Sequence, residues 1–115
     1  MNSRYFHNPR CTKSRGALAL LRERGIEPEV VDYQAAPPSV EELRQVVALL
    51  GLPARALLRT GEDEYKALGL DDPLKTDEEL IAAMHAHPIL IERPIFVHGG
   101  RAVIGRPVEN VLDLL

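Results

Sequence analysis

The chain has 115 residues, a length that suits one domain, and its 45% apolar content with no Trp implies an aliphatic core. A net charge of -3 excludes nucleic-acid binding by bulk electrostatics, and a single cysteine excludes an internal disulfide and argues against a secreted, disulfide-built fold. No segment approaches the ~18 apolar residues of a membrane span and the N-terminus lacks a signal-peptide apolar run, so no membrane partner is expected and the expected compartment is the cytoplasm.

Ser3–Phe6 reads as a short strand, and His7-Asn8-Pro9 as a turn. Thr12 to Arg24 reads as a helix with Ala17, Leu18, Leu20 and Leu21 on its apolar face and Gly25 as its C-cap. Glu29–Tyr33 is a second strand, which gives a β–α–β unit and predicts a parallel pair with a right-handed crossover. The stretch 39–86 reads as helical throughout. Ser39 with Glu42 and Thr76 with Glu79 form capping boxes at two of its helix starts, and Gly51 and Gly69 close two of its pieces. Ile95–Val97 and Ala102–Ile104 are apolar runs around Gly99-Gly100, a hairpin signal. Pro107 then opens a final helix with Val108, Val111 and Leu112 on one face. The expected architecture is α/β: a thioredoxin-like fold with a mixed sheet, one domain over 1–115, and a helical insertion at about 39–86.

The charge is uneven. Residues 1–25 hold six Arg or Lys against Glu23, whereas residues 62–79 hold eight acids against Lys66 and Lys75. The basic stretch surrounds the one segment that suggests chemistry, His7-Asn8-Pro9-Arg10-Cys11-Thr12-Lys13-Ser14-Arg15. Cys11 falls between a strand and a helix. The first amides of a helix lack internal acceptors and the dipole is positive there, so both favour a thiolate and an oxyanion. The thiol pKa is expected to fall from ~8.5 toward the ~3.5–7.5 of activated cysteines. Arg10, Lys13 and Arg15 act in the same direction, and His7 can add an imidazolium or a hydrogen bond. Arg55 reads as solvated surface. His85, His87 and His98 are not at metal-ligand spacing, and no metal is expected.

The spacing His7-x3-Cys11-x3-Arg15 after a strand resembles the active-site loop of the ArsC-type, glutaredoxin-coupled arsenate reductases. Three further blocks resemble that family in the same order: Arg55–Arg59, His87–Ile95 with its HPIL and RPI pieces, and Gly105-Arg106-Pro107 with Val111-Leu112-Asp113. The resemblance covers almost the whole chain. Gly105 stands where some operon-encoded members carry another Cys, Thr12-Lys13 replaces a Gly-Thr pair, and the chain ends soon after the final helix, which suggests a shorter branch related also to Spx-type proteins.

The resemblance implies roles. Cys11 is the expected nucleophile, with His7 tuning it. Arg59, Arg93 and Arg106, with Ser14 and Arg15, are the expected oxyanion ligands, and three guanidinium groups can fork onto a tetrahedral anion from different sides. Pro94 is the expected cis-proline beside the site. Reducing arsenate to arsenite takes two electrons and therefore two thiols, so with one cysteine the second must come from outside. Glutathione is the expected co-substrate, glutaredoxin the expected partner, no cofactor is expected to be bound, and a monomer is expected. Two other functions fit the same residues. Cys11 and Ser14 form the Cys-x-x-Ser pattern of a general glutathione-dependent thiol oxidoreductase, and the RPI block also fits a non-enzymatic, Spx-like regulator.

Overall fold

The computed structural model describes residues 3–92 and 94–115. They fall into two compact units, one of residues 3–36 with 94–115 and one from Pro37–Glu92.

The first unit is built on a four-stranded mixed sheet in the order β2-β1-β3-β4, with β1 Arg4–His7, β2 Glu29–Asp32, β3 Ile95–His98 and β4 Arg101–Ile104. β1 pairs with β2 in parallel, Tyr5 opposite Val30, and with β3 antiparallel, Tyr5 opposite Phe96. This is the α/β, thioredoxin-like plan read from the sequence. The inner strands carry the aromatic side chains: Tyr5, Phe6 and Phe96 are all buried. Helix α1, Thr12–Glu23, connects the parallel pair. It buries Ser14, Ala17, Leu18 and Leu21, an i, i+3, i+4, i+7 stripe, while Leu20 stays half-buried. It ends in a Schellman motif: the Gly25 N–H donates to the Arg22 carbonyl and the Ile26 N–H to the Leu21 carbonyl, with Gly25 at φ 77°. The β3–β4 turn places Gly99 and Gly100 at φ 61° and 76°, the two positive values a type I′ turn demands.

The final element differs from expectation. Val108–Leu114 is a 3-10 helix, and Pro107 is its N-cap rather than its first helical residue. Val111 and Leu114 nevertheless join Tyr5, Ala17, Leu18, Leu21 and Phe96 in one apolar cluster, against which Val108 and Leu112 pack in part. Seven residues of eclipsed i, i+3 side chains suffice to bury that edge.

The second unit contains α2 Val40–Leu50, a 3-10 turn Ala54–Leu57, α3 Asp63–Ala67, α4 Asp77–Ala86 and a 3-10 turn Pro88–Leu90. Ser39 Oγ accepts from the Glu42 N–H at 3.0 Å, and Thr76 with Glu79 completes a reciprocal capping box. The unit buries Leu43, Val46, Leu57, Leu80, Ile81, Met84 and Leu90. Two details depart from the sequence reading. Leu58 is not helical: it forms an isolated antiparallel bridge with Ile91, flanked by Arg59 N–H to the Leu90 carbonyl and Glu92 N–H to the Leu57 carbonyl, both 2.7 Å. Arg55 is not solvated surface either, since its guanidinium donates to the carbonyls of Leu70 and Asp72 at 2.7 and 2.8 Å. Those two bonds satisfy carbonyls in the loop that follows α3.

Candidate active site

β1 ends at His7 and α1 begins at Thr12, so the loop between them delivers Cys11 to the first turn of the helix. Cys11 is the N-cap residue, with extended backbone (φ -95°, ψ 121°). Its N–H donates to the Asn8 carbonyl at 3.0 Å, and its carbonyl accepts from the Arg15 N–H at 3.0 Å, the first bond of the helix. The thiol is half-buried. Amides of the first helical turn and the positive end of the helix dipole favour an anion at this position. Arg10, Lys13 and Arg15 are exposed around it. Arg15 also braces the loop, its guanidinium donating to the Pro9 carbonyl at 2.7 Å and to Thr12 Oγ1 at 3.4 Å.

The support of this loop centres on Ser14. Expected from the resemblance to touch the oxyanion, Ser14 instead is 0% exposed. Its Oγ accepts from the Asn8 N–H at 3.1 Å and lies 2.7 Å from His7 Nδ1. The phenol of Tyr5 donates to the Ser14 carbonyl. A fully enclosed hydroxyl engaged on two sides holds the loop and does not face an incoming anion. Burial pushes the Tyr5 phenol up to about 12, so it stays protonated and remains a donor. Burial, more than any neighbouring charge, lowers the His7 pKa below 6.5; Asp32 opposes the shift, and Arg22 and Arg15 add to it. The shift favours the neutral, hydrogen-bonding imidazole over the imidazolium.

This network makes a stability prediction. Folded His7 takes up its proton at lower pH than unfolded His7. The contribution is therefore fully present above pH 6.5 and is lost progressively as the pH falls from 6.5 toward the folded value. Urea unfolding of the wild type is expected to show that loss, and His7→Gln to flatten it; superimposable pH profiles would overturn the account. At pH 7.5, Ser14→Ala strips the partner from a buried N–H and a buried imidazole, and is expected to cost about 1–3 kcal/mol.

The arginines are spread over the chain. Arg106 follows β4, its N–H bonded to the Ile104 carbonyl at 2.9 Å and its carbonyl accepting from Asn110 Nδ2 at 3.0 Å. Its peptide bond to Pro107 is cis. Arg59 belongs to the Pro37–Glu92 unit and is paired with Glu62 at 3.1 Å and Glu92 at 3.9 Å. Arg93 lies outside the described residues, and so does the Arg93–Pro94 bond on which the cis-proline expectation rests. Pro94 itself is buried, and its carbonyl accepts from the Gly105 N–H at 2.8 Å. Among the described residues no group of three His, Cys, Asp or Glu side chains could hold a metal ion, and no helix is long and apolar enough to cross a membrane. Two of the other histidines serve the fold: His98 Nδ1 lies 2.6 Å from Ser3 Oγ and its ring stacks on Phe96, while His85 Nδ1 lies 2.8 Å from the Pro38 carbonyl.

Sequence reasoning did not single out Tyr5 and Asn8 as parts of this site, nor the contacts that Ser14 makes with His7 and Asn8. The signal was present for Ser14, which shares the helix stripe of Ala17, Leu18 and Leu21 and so had to point inward.

Fold and site together define a thioredoxin-like domain with one cysteine at the N-cap of its first helix. The chain belongs to the ArsC family, whose model matches residues 6–114. It is 50% identical over 111 residues to a protein named arsenate reductase from Neisseria meningitidis serogroup A, covering 96% of this chain and 95% of that one. It is also 50% identical over 111 residues to YfgD of Escherichia coli K12, described as uncharacterized, covering 96% of this chain and 93% of the other. The solved arsenate reductase from Vibrio cholerae matches with a TM-score of 0.96 at 50% identity, over 100% of this chain and 98% of that one.

Proposed function

We propose that this chain reduces arsenate to arsenite with glutathione as co-substrate and glutaredoxin as the resolving partner, in the cytoplasm, where thiols are kept reduced. The observation that carries the reading is Cys11 at the N-cap of α1 in a chain half identical to relatives named arsenate reductase. The Cys11 thiolate attacks arsenic, and one arsenate oxygen leaves as water with the protons it takes up. The thiolate of glutathione then attacks the Cys11 sulfur of the adduct. An S–S bond forms as the S–As bond breaks, and its electron pair passes to arsenic, which departs as arsenite. A glutaredoxin thiolate accepts the glutathionyl group and frees the Cys11 thiolate. Two thiols supply the two electrons, one from this chain and one from outside, as the single cysteine requires.

Arg106, Arg59 and Arg93 are the proposed oxyanion ligands, with Arg15 on the loop; Ser14 is proposed as a positioning residue instead. Phosphate shares the tetrahedral shape and charge but cannot be reduced by thiols, so it is expected to compete weakly.

The test follows NADPH oxidation with glutathione, glutaredoxin and glutathione reductase present. Arsenate-dependent oxidation that also requires glutathione is expected, and Arg106→Ala is expected to raise the KM for arsenate by about tenfold or more. Reduction of a mixed disulfide with no response to arsenate would instead identify a general thiol oxidoreductase. Absence of both activities would leave a regulator on the same fold.

A further inference from the structure

Beside the Cys11 loop, within the same unit, lies a cleft of about 240 Å³ lined by Asn8, Pro9, Arg10, Asp32, Gln34 and Ala35. One wall is the loop that ends at Cys11. The other is the segment in which β2 ends. His7 is opposite Asp32 in the parallel β1–β2 register, so both walls spring from the carboxyl ends of parallel strands, where open α/β sheets bind ligands.

Both walls are pinned by side-chain to backbone bonds. Asn8 Oδ1 accepts from the Arg10 N–H at 3.0 Å, and Asp32 Oδ1 accepts from the Ala35 N–H at 3.3 Å. The lining is polar and carries one charge of each sign, Arg10 and Asp32, beside the carboxamides of Asn8 and Gln34. A simple anion would answer Arg10 and be repelled by Asp32; a simple cation would do the reverse. A group holding a carboxylate and an ammonium on one carbon answers both.

We propose that this cleft binds the α-amino-acid head of a γ-glutamyl thiol peptide, carboxylate toward Arg10 and ammonium toward Asp32. The inference rests on the glutathione-dependent reading above and adds where the tripeptide is recognised and by which end. The peptide's sulfur lies one residue from that head, a reach on the order of 7 Å. Cys11 follows Arg10 directly in the chain, so a head seated in the cleft keeps the thiol near the loop that presents Cys11.

The test uses ligands that cannot react. S-methylglutathione and S-methyl-cysteinylglycine, which lacks the γ-glutamyl head, are titrated into the full chain and followed by amide chemical shifts. S-methylglutathione is expected to bind with shifts over Asn8–Arg10 and Asp32–Ala35, and S-methyl-cysteinylglycine to bind about tenfold more weakly, the loss of one charge-assisted hydrogen bond or more. Asp32→Asn keeps an oxygen for the Ala35 N–H while removing the charge. It and Arg10→Gln are each expected to weaken S-methylglutathione by about tenfold and to leave the headless ligand unchanged. Equal binding of the two ligands, shifts elsewhere, no binding, or indifference to both substitutions would overturn the proposal. Because no step involves arsenate, a failed arsenate assay with the expected binding pattern removes only the arsenate reading. A working assay with the wrong binding pattern removes only the cleft.

Discussion

Serine in place of Cys11 is expected to reduce arsenate-dependent turnover on the order of a thousandfold or more, to the background of the coupling system. A helix N-terminus can bring a thiol of pKa ~8.5 into the working range, but a serine hydroxyl starts too far above it for the same field to matter. Sulfur also carries the electrons: without an S–As bond there is no pair to return to arsenic and no disulfide to form. The chain holds no other cysteine to substitute. Thermal stability is expected to change little, since the side chain is only half-buried and the two residues are of similar size. The measurement is the NADPH-linked assay, together with mass spectrometry of the wild type for a glutathione adduct on Cys11. Turnover retained in the variant would overturn the assignment of Cys11 as nucleophile.

Alanine at Gly105 is expected to lower stability by about 1–3 kcal/mol, a fall in Tm on the order of 5–10 °C. A Cβ there would stand 2.8 Å from Pro94 Cγ and 3.0 Å from Val111 Cγ1. The proline ring cannot swing aside as a flexible chain would, and Val111 belongs to the buried cluster of the sheet unit. Gly16→Ala is the control of opposite sign. Gly16 is exposed inside α1 and a Cβ there meets nothing within 4 Å, so alanine is expected to stabilise by about 0.5–1 kcal/mol. Thermal unfolding of both variants decides the matter, and a Gly105→Ala protein as stable as the wild type would show that the pocket has slack. Cysteine at position 105 would meet the same contacts with a longer side chain.

Much of the sheet unit was legible because its signals are local. Gly99-Gly100 permits the two positive φ values of the hairpin, Gly25 closes α1, and the run of apolar residues in α1 has helical period. The helical unit was legible at its caps, where Ser39 and Thr76 have a fixed chemical task. What escaped has no periodic signature. The Leu58–Ile91 bridge is one residue pair, too short for alternation to mark it. The last element has the spacing of a helix whether it winds as α or 3-10. At the site, Cys11 was visible from its place between strand and helix. The interplay of Tyr5, His7, Asn8 and Ser14 was not, because hydrogen bonds among buried groups depend on how β1 and α1 meet.

The central strand has a kinetic consequence. β1 leaves the ribosome before its neighbours, and one of them, β2, follows soon after. The neighbour on its other side, β3, emerges only after the whole Pro37–Glu92 unit has been made. Until then Tyr5 and Phe6 lack the strand that pairs with them, and the sheet waits on that unit for completion. The long separation adds little to the equilibrium cost, because closure entropy grows only by about 0.6 kcal/mol per doubling of the loop. It weighs on the rate, since pairing distant strands is slow and leaves an apolar edge uncovered while it waits.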